Sequence, residues 1–517
     1  MNDRAKAALR PEHPVARPLS QFAHDFELGD LPGLDGVEVT GVSINSRDVE
    51  PGDLYVGLAG AHSHGATFAT NAREAGAVAV LTDEAGVEMA TASGLPVIHV
   101  ANPRAALGDV AAWVYRTSEN PATLFAVTGT NGKTSAVYIL NALLTQLGVQ
   151  SGLSSTAERR IGPIAVTSLL TTPEASEMHA LLARMRESAV RAVAIEVSAQ
   201  AVSRHRIDGL LFDVVGFTNL SHDHLDDYST MREYFEAKLQ LFQPDRARRG
   251  VVMVDSEWGR TMAEESRIPV TRIQTSPDGD AEWTVTITDQ TPYSTSFLLE
   301  GPEKRRLATS VPLVGAFMAH NAAVAIVMLV ESGFDLAAIE HALGRDGEIK
   351  AFIPGRAERV SGQSGPIVYV DYGHTPAAFQ STLQAIRQVV PGKLIMVFGA
   401  DGDRDTSKRL DMGAIAAREA DAVVICDFHP RFEDPDTIRA QLVAGARAEK
   451  PEGELYEIAD PRQAFRKALS LAGAGDAVLY AGPGHEDYRE VAGVRLPYSA
   501  RDDVRLALME AGWPPND

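Results

Sequence analysis

Short unbroken apolar runs alternate along this chain with amphipathic stretches, the pattern of buried parallel strands and the helices that cover them. Val37 to Val42, Leu54 to Leu58, Ala77 to Leu81 and Pro96 to Val100 read as strands, with a helix over Ala66 to Ala75. A second series holds the strand around Phe125 to Val127, then Ala192 to Ile195 and Asp213 to Phe217. Leu140, Leu143, Leu144 and Leu147 fall at helical spacing there, as do Met178, Leu181, Leu182 and Met185. A third series, Ile367 to Val370, Leu394 to Phe398, Ala422 to Cys426 and Ala477 to Tyr480, alternates with helical stretches in a Rossmann-like rhythm. At 517 residues the pattern predicts an α/β protein of three domains. They cover residues 1–118, a smaller α/β domain; 119–352, a P-loop ATPase-like domain on a mostly parallel sheet; and 353–517, the Rossmann-like domain.

Between the strand at Phe125 and the helix that begins near Thr134 runs Thr128-Gly129-Thr130-Asn131-Gly132-Lys133-Thr134-Ser135. A glycine turn at a helix start aims backbone N–H groups and the positive dipole end at one point, which makes a phosphate cradle. Lys133 would meet the β- and γ-phosphates of ATP, and the Thr134 hydroxyl would hold magnesium. The usual P-loop pattern has glycine five positions before Gly132, where this chain has Val127, so an ordinary glycine-rich turn remains the plainer reading.

Charge narrows the partners. Against 69 acidic side chains stand 48 basic ones, a net charge of −21, which disfavours an extended nucleic-acid or anionic-membrane surface but not a small phosphorylated ligand. Cys426 is the only cysteine, which excludes an intrachain disulfide framework. The N-terminal segment lacks the apolar core of a signal peptide, and no run approaches the ~20 apolar residues of a membrane span. The expectation is a soluble, cytoplasmic, monomeric protein.

Four further places carry chemistry. Glu196 ends the strand Ala192 to Ile195 on the ligand side of a parallel sheet and is a candidate magnesium partner beside Thr134, or a strand-end cap. The loop after Phe217 holds His222, Asp223, His224 and Asp226, which suit a cation or a phosphate clamp; on this segment alone zinc is the first guess. In the helix Met231 to Phe242, Lys238 shares the apolar stripe of Met231, Tyr234 and Phe235. Burial would leave a neutral amine able to act as a nucleophile or take up carbon dioxide as a carbamate, unless the head snorkels to water. In the third block, Asp371 to Pro376, Asp401 to Asp405, Phe428 to Arg431 and Gly482 to Glu486 all follow strands, where opposite charges could hold the two ends of an amino acid.

With these segments in view the chain resembles the Mur ligases, most closely their MurE type, from about Val37 to Tyr488. The motifs are TGTNGKTS at Thr128 to Ser135, LTTPEA at Leu170 to Ala175, EVSAQAVSRHRIDG at Glu196 to Gly209 and TNLSHDHLDDY at Thr218 to Tyr228. The first is shared with folylpolyglutamate synthases, a second reading that LTTPEA and the first domain oppose. The resemblance implies an ATP-dependent ligase that adds a diamino acid to UDP-N-acetylmuramoyl-L-alanyl-D-glutamate through an acyl phosphate, in peptidoglycan precursor synthesis. It implies a UDP-substrate-binding first domain, with Ser46 at the UDP-sugar and Thr171, Thr172, Ser198 and Arg206 on the muramoyl-peptide. Lys238 becomes a carbamylated lysine, and with His224 it binds a second magnesium in place of zinc. Arg356, Asp371 and His374 complete the ATP site, while Arg409, Arg431, Gly482 and Glu486 face the incoming amino acid.

The chain also departs from the family. A segment that reads DNPR in diaminopimelate-adding members is Phe428-His429-Pro430-Arg431, and Pro483 replaces lysine in GPGHE. These changes point to L-lysine first, then ornithine or diaminobutyrate, with meso-diaminopimelate as the alternative. Ala316, Met318 and His222 stand where the family has arginine, asparagine and arginine, which keeps a nucleotide-binding scaffold without turnover as a competing class.

Overall fold

A computed structural model of the chain describes residues 9–29, 31, 33–225 and 227–515. Asp226 of the histidine loop and residues 1–8 of the N-terminal segment lie outside these. Two compact units interleave along the sequence: residues 1–126, 148–215 and 240–248 form the first, and 127–147, 216–239 and 249–517 the second.

The first unit holds an all-parallel sheet of Gly41–Ser43, Asp53–Gly57, Ala79–Thr82 and Val97–His99 in sequence order. Every residue of Asp53–Gly57 is buried, as a strand covered on both faces requires. The helix Pro103–Tyr115 lays Leu107, Val110, Ala111 and Val114 into that core. Asn102 caps it by accepting from the Ala105 N–H, and proline stands at its first turn. The expected strand over Val37 to Val42 is broken at Thr40: Glu38–Val39 pairs antiparallel with Arg17–Pro18, and Gly41–Ser43 enters the parallel sheet. Likewise the expected helix over Ala66 to Ala75 starts as a 3₁₀ turn, Gly65–Phe68, because His64 Nδ1 accepts from the Ala66 N–H. Elsewhere in the unit, Ala192–Glu196 runs parallel to Ser151–Ser154, which continues into antiparallel Glu158–Ile161 and Ile164–Thr167.

In the second unit the helices Lys133–Gln146 and Ala316–Glu331 pack together. The latter is buried from Ala322 to Leu329 and covers the strands Trp283–Gln290, Thr295–Glu300 and Arg306–Val311. A separate six-stranded sheet has the order Glu358–Arg359, Ile367–Asp371, Ala477–Ala481, Leu394–Phe398, Ala422–Ile425, Glu454–Glu457. All its pairings are parallel except the first. The last parallel strand therefore returns to the middle, and the loops that leave four strands gather at one carboxyl edge, where open α/β sheets bind ligands. Among the described residues no helix is long and apolar enough to cross a membrane.

Candidate active site

The phosphate loop is shaped by contacts that only glycine permits. Gly129 has φ 150° and a Cβ there would strike the Thr218 hydroxyl; Gly132 has φ 87° and a Cβ would strike the Asn321 amide. Asn219 holds the turn, its Oδ1 accepting from the Asn131 N–H at 3.0 Å and its Nδ2 donating to the Asn131 carbonyl at 3.0 Å. Lys133 curls over its own loop, Nζ donating to the carbonyls of Gly129 (3.1 Å) and Thr130 (2.9 Å), acceptors a phosphate would outcompete. The Thr134 hydroxyl accepts from Arg356 Nη2 at 3.0 Å, and the buried Thr128 hydroxyl has no hydrogen-bond partner among the described residues.

Beside the loop lies the helix Met231–Leu239. Tyr234, Phe235, Ala237 and Lys238 are its buried face, as helical spacing dictates. Lys238 is 1% exposed, so its head does not snorkel. Its Nζ donates to the Gly129 carbonyl at 3.0 Å and lies 4.3 Å over the Tyr234 ring. Burial, then the Lys133 ammonium, drives its pKa well below the usual lysine value, which favours the neutral amine. His224 sits in the left-handed region at φ 57°. Its pKa is lowered to about 4, burial outweighing the opposing pull of Asp223, so the imidazole is neutral and able to ligate. Burial alone would raise Asp223, but the Lys408 ammonium and His224 hold it below the ordinary carboxylate range.

Arg356, Asp371 and His374 belong to the same unit. The Arg356 guanidinium stacks 4.2 Å over the Tyr372 ring. Asp371 accepts from the N–H groups of Ala357 (2.8 Å) and Gly373 (2.9 Å) and so shapes the backbone around both. His374 Nδ1 donates to the Tyr372 carbonyl at 2.8 Å, which leaves Nε2 as the acceptor.

At the carboxyl edge of the six-stranded sheet, His429 Nε2 and Glu486 Oε2 are 2.7 Å apart. The Glu490 N–H donates to His429 Nδ1, so the proton of a neutral ring lies on Nε2 and is donated to Glu486. Arg431, at φ 52°, reaches Asp401 at 3.5 Å, Glu490 at 3.8 Å and the Gly402 carbonyl at 3.2 Å. Arg409 is 1% exposed and held by Glu433, Gln441 and the Asp401 carbonyl, its buried Nε alone lacking a partner. Gly482 donates to the Asp371 carbonyl at 2.9 Å, tying this edge to the nucleotide-side residues.

The first unit gathers the remaining sequence-derived residues. Glu196 is buried at its strand end and accepts from the Thr156 N–H and hydroxyl. Thr172 donates to the Glu196 carbonyl and accepts from the Ser198 N–H, while Thr156 donates to Thr171. Arg206 pairs with Glu174 at 3.1 Å, which also pairs with Arg104. Ser46 is half-buried, and its neighbours Asn45, Arg47 and Asp48 line a cavity of about 360 Å³, with Arg10, Tyr115 and Arg159 on other walls.

Sequence reasoning assigned no role to Asn219, Tyr234, Asn321 or Lys408. The first two lie in segments already singled out, whereas Lys408 meets Asp223 across 185 residues, a contact with no local signal. Among the described residues no group of three or more His, Cys, Asp or Glu side chains is gathered for a metal, as zinc would require. The residues do fit a magnesium nucleotide: two glycines leave space a Cβ would fill, and Thr128, Lys133 and Thr134 supply hydroxyls and a cation. Magnesium takes much of its coordination from phosphate and water rather than from a protein cage.

A glycine cradle closed by strand-end side chains, a buried lysine and a second parallel sheet edged with paired charges define a class, the P-loop ligases that activate a carboxylate with ATP. Family models match residues 38–115 (Mur ligase family, catalytic domain), 127–329 (Mur ligase middle domain) and 355–484 (Mur ligase, glutamate ligase domain). A UDP-N-acetylmuramyl-tripeptide synthetase of Leifsonia xyli subsp. xyli is 67% identical, over 99% of this chain and 100% of that protein. A UDP-N-acetylmuramoyl-L-alanyl-D-glutamate–2,6-diaminopimelate ligase of Streptomyces avermitilis is 42% identical, over 97% of each. A solved diaminopimelate ligase of the same description aligns with TM-score 0.63 at 28% identity, over 92% of this chain and 95% of its own. The chain belongs to the Mur ligase family and is of its MurE type, an ATP-dependent ligase that forms peptide bonds.

Proposed function

We propose that this ligase joins a diamino acid ending in an ammonium group to UDP-N-acetylmuramoyl-L-alanyl-D-glutamate, with L-lysine first and ornithine or diaminobutyrate following. The observation that carries the acceptor choice is the charge at the sheet edge. Arg431 lies 3.5 Å from Asp401 and 3.8 Å from Glu490, and Glu486 is aimed by His429, so this edge offers carboxylates that an ammonium group can pair with.

In this reading ATP transfers its γ-phosphoryl to the D-glutamyl carboxylate, and the acceptor amine attacks the acyl phosphate, expelling phosphate after proton loss. Lys133 follows the charge that develops on the phosphoryl oxygens, with Thr128 to Thr134 cradling the nucleotide and Arg356, Asp371 and His374 completing its site. Thr134, His224 and Lys238 are the residues of the second unit that would hold magnesium, which supplies charge neutralisation for the phosphoryl group, and Glu196 at its strand end is the candidate magnesium ligand of the first unit. Lys238 acts as a carbamate: its neutral Nζ adds to carbon dioxide and releases one proton, giving an anionic ligand. Ser46, Thr171, Thr172, Ser198 and Arg206 bind the nucleotide-sugar peptide, and the cavity beside Ser46 has the size of a small-ligand site. Arg409, Arg431, Gly482 and Glu486 receive the amino acid. We place the reaction in the cytoplasm and read the enzyme as a monomer. The buried Cys426, its thiol raised to about 12 by burial, is unsuited to disulfide exchange.

Phosphate release measured with UDP-muramoyl-dipeptide and a panel of amino acids tests the reading. Turnover with lysine, ornithine or diaminobutyrate supports it, a clear preference for meso-diaminopimelate overturns the acceptor choice, and no amino-acid-dependent release favours a scaffold without turnover. A ¹³C carbamate resonance from labelled bicarbonate, lost in Lys238→Ala, is expected; its absence from the wild type removes the carbamate.

A further inference from the structure

Lys408 immediately precedes the helix Arg409–Glu419, at the end of the loop that leaves the strand Leu394–Phe398. It is 8% exposed, and its Nζ lies 3.4 Å from Oδ1 of Asp223, which is 5% exposed. Neither residue has a part in the reaction described above. Desolvation consumes most of the attraction in a buried ion pair, so such a pair is a poor device for stability and is better understood by what it joins.

On one side, Arg409 follows directly and fixes the loop from Asp401 onwards by donating to the Asp401 carbonyl at 2.7 Å and to Glu433. On the other, Asp223 Oδ1 also accepts from the His224 N–H at 3.0 Å, and its Oδ2 is 3.6 Å from His224 Nε2. His224 holds a left-handed backbone, which non-glycine residues keep only when their surroundings impose it. Its ring stands edge-on to Tyr234 at 5.8 Å, and the Tyr234 hydroxyl is 3.4 Å from that of Thr130 in the phosphate loop. A flanking contact joins the same two loops, with His222 Nε2 lying 3.6 Å from Asp405 and 3.5 Å from the Ser407 hydroxyl.

We propose that the Lys408–Asp223 pair is a clasp between the amino-acid loop and the His224 loop, with Lys408 a positioning residue that holds His224 in its left-handed place. The inference rests on the ligase reading for its consequence: ordering of the 401–409 loop by the acceptor steadies His224, and by reciprocity an ordered phosphate site favours the acceptor. Chemistry is thereby coupled to the presence of the amine.

Hydrogen exchange on the full-length, ligand-free protein tests the clasp without activity, using Lys408→Met, Asp223→Asn, the double variant and Lys408→Arg. Each neutral single variant is expected to speed exchange in residues 219–228 by about tenfold, the double variant no more than either single, and Lys408→Arg to stay within about twofold of wild type. In turnover, Lys408→Met should lower kcat/KM for the amino acid about tenfold while the nucleotide Kd changes less than about threefold. Unchanged exchange in 219–228, single effects that add in the double variant, or faster exchange spread through the whole second unit would each overturn the clasp. Wild-type protein that shows the exchange coupling but ligates no amino acid would keep the clasp and sink the ligase reading.

Discussion

Replacing Lys238 with methionine tests the electrostatic reading of the site at its most buried point. Methionine keeps the length and apolar volume, and the Gly129 carbonyl that Lys238 occupies retains Lys133 as a donor. Unfolded, the lysine titrates near ~10.4; folded, burial and then Lys133 press its pKa well below that. Between the two values the unfolded chain binds one proton more than the folded one, so this group's penalty on stability shrinks as pH rises and vanishes above the unfolded value. Each pH unit inside that window is worth about 1.4 kcal/mol, so wild type should gain on Lys238→Met with every unit of pH rise there. For 517 residues the unfolding entropy is about 1 kcal/mol per kelvin, which converts the gain to a relative rise in melting temperature of roughly 1 K per pH unit. The comparison is made by thermal melts in bicarbonate-free, metal-free buffer, where the variant should also be the more stable protein at pH 7. Parallel pH profiles would mean that Lys238 is charged in the folded state, and the argument for a reactive neutral amine would fall with them.

Gly132→Ala should weaken nucleotide binding at least tenfold and destabilise the chain by about 1–2 kcal/mol, because alanine strains at φ 87° and its Cβ meets Asn321; nucleotide titration and a melt check both. Imidazole NMR should find His224 titrating near pH 4: its folded value lies below the ordinary 6.5, so its penalty on folding shrinks as pH rises from about 4 to 6.5 and is absent above, and a value near 6.5 refutes the shift. Asn219→Ala removes two hydrogen bonds that hold Asn131, each worth about 0.5–1.5 kcal/mol, and should raise the Kd for ATP more than KM for the amino acid. His429→Ala frees Glu486 from its donor and should raise KM for the diamino acid several-fold and the nucleotide Kd to a smaller extent, through Glu486 and Tyr372, as steady-state kinetics and nucleotide titration will show.

The parts of this site that could be read from the sequence are those built within one local unit. The phosphate cradle is a strand, a turn and a helix start in direct succession, and Lys238 shares a stripe with Tyr234 because four residues make one helical turn. What could not be read depends on strands meeting across long separations. The partner change at Thr40 needs Arg17–Pro18 to pair with Glu38–Val39, and the local pattern of Val37 to Val42 carries no sign of it. Lys408 looks like an ordinary residue before a helix until it meets Asp223. Arg431 reads as an available cation in Phe428 to Arg431, because Asp401 comes from another loop and Glu490 from the strand Tyr488–Val491.

The order of the C-terminal sheet brings the loops that begin at Asp371, Asp401 and Gly482 to one edge. Ala477–Ala481 inserts between Ile367–Asp371 and Leu394–Phe398, so the Gly482–Glu486 loop emerges between the Asp371 loop and the Asp401 loop. Tyr372 is the result: its ring carries Arg356, which donates to Thr134 in the phosphate loop, and its hydroxyl lies 3.4 Å from Glu486, which His429 aims. Had the last strand been added at the sheet edge, Glu486 would lie beyond the reach of Tyr372, and the charges around Glu486 could vary without touching Arg356. With the strand in the middle, a change at His429 is three contacts from Arg356. A segment that departs from the family at Phe428 and His429 must therefore keep Glu486 in place, and the proton donated by His429 Nε2 does so.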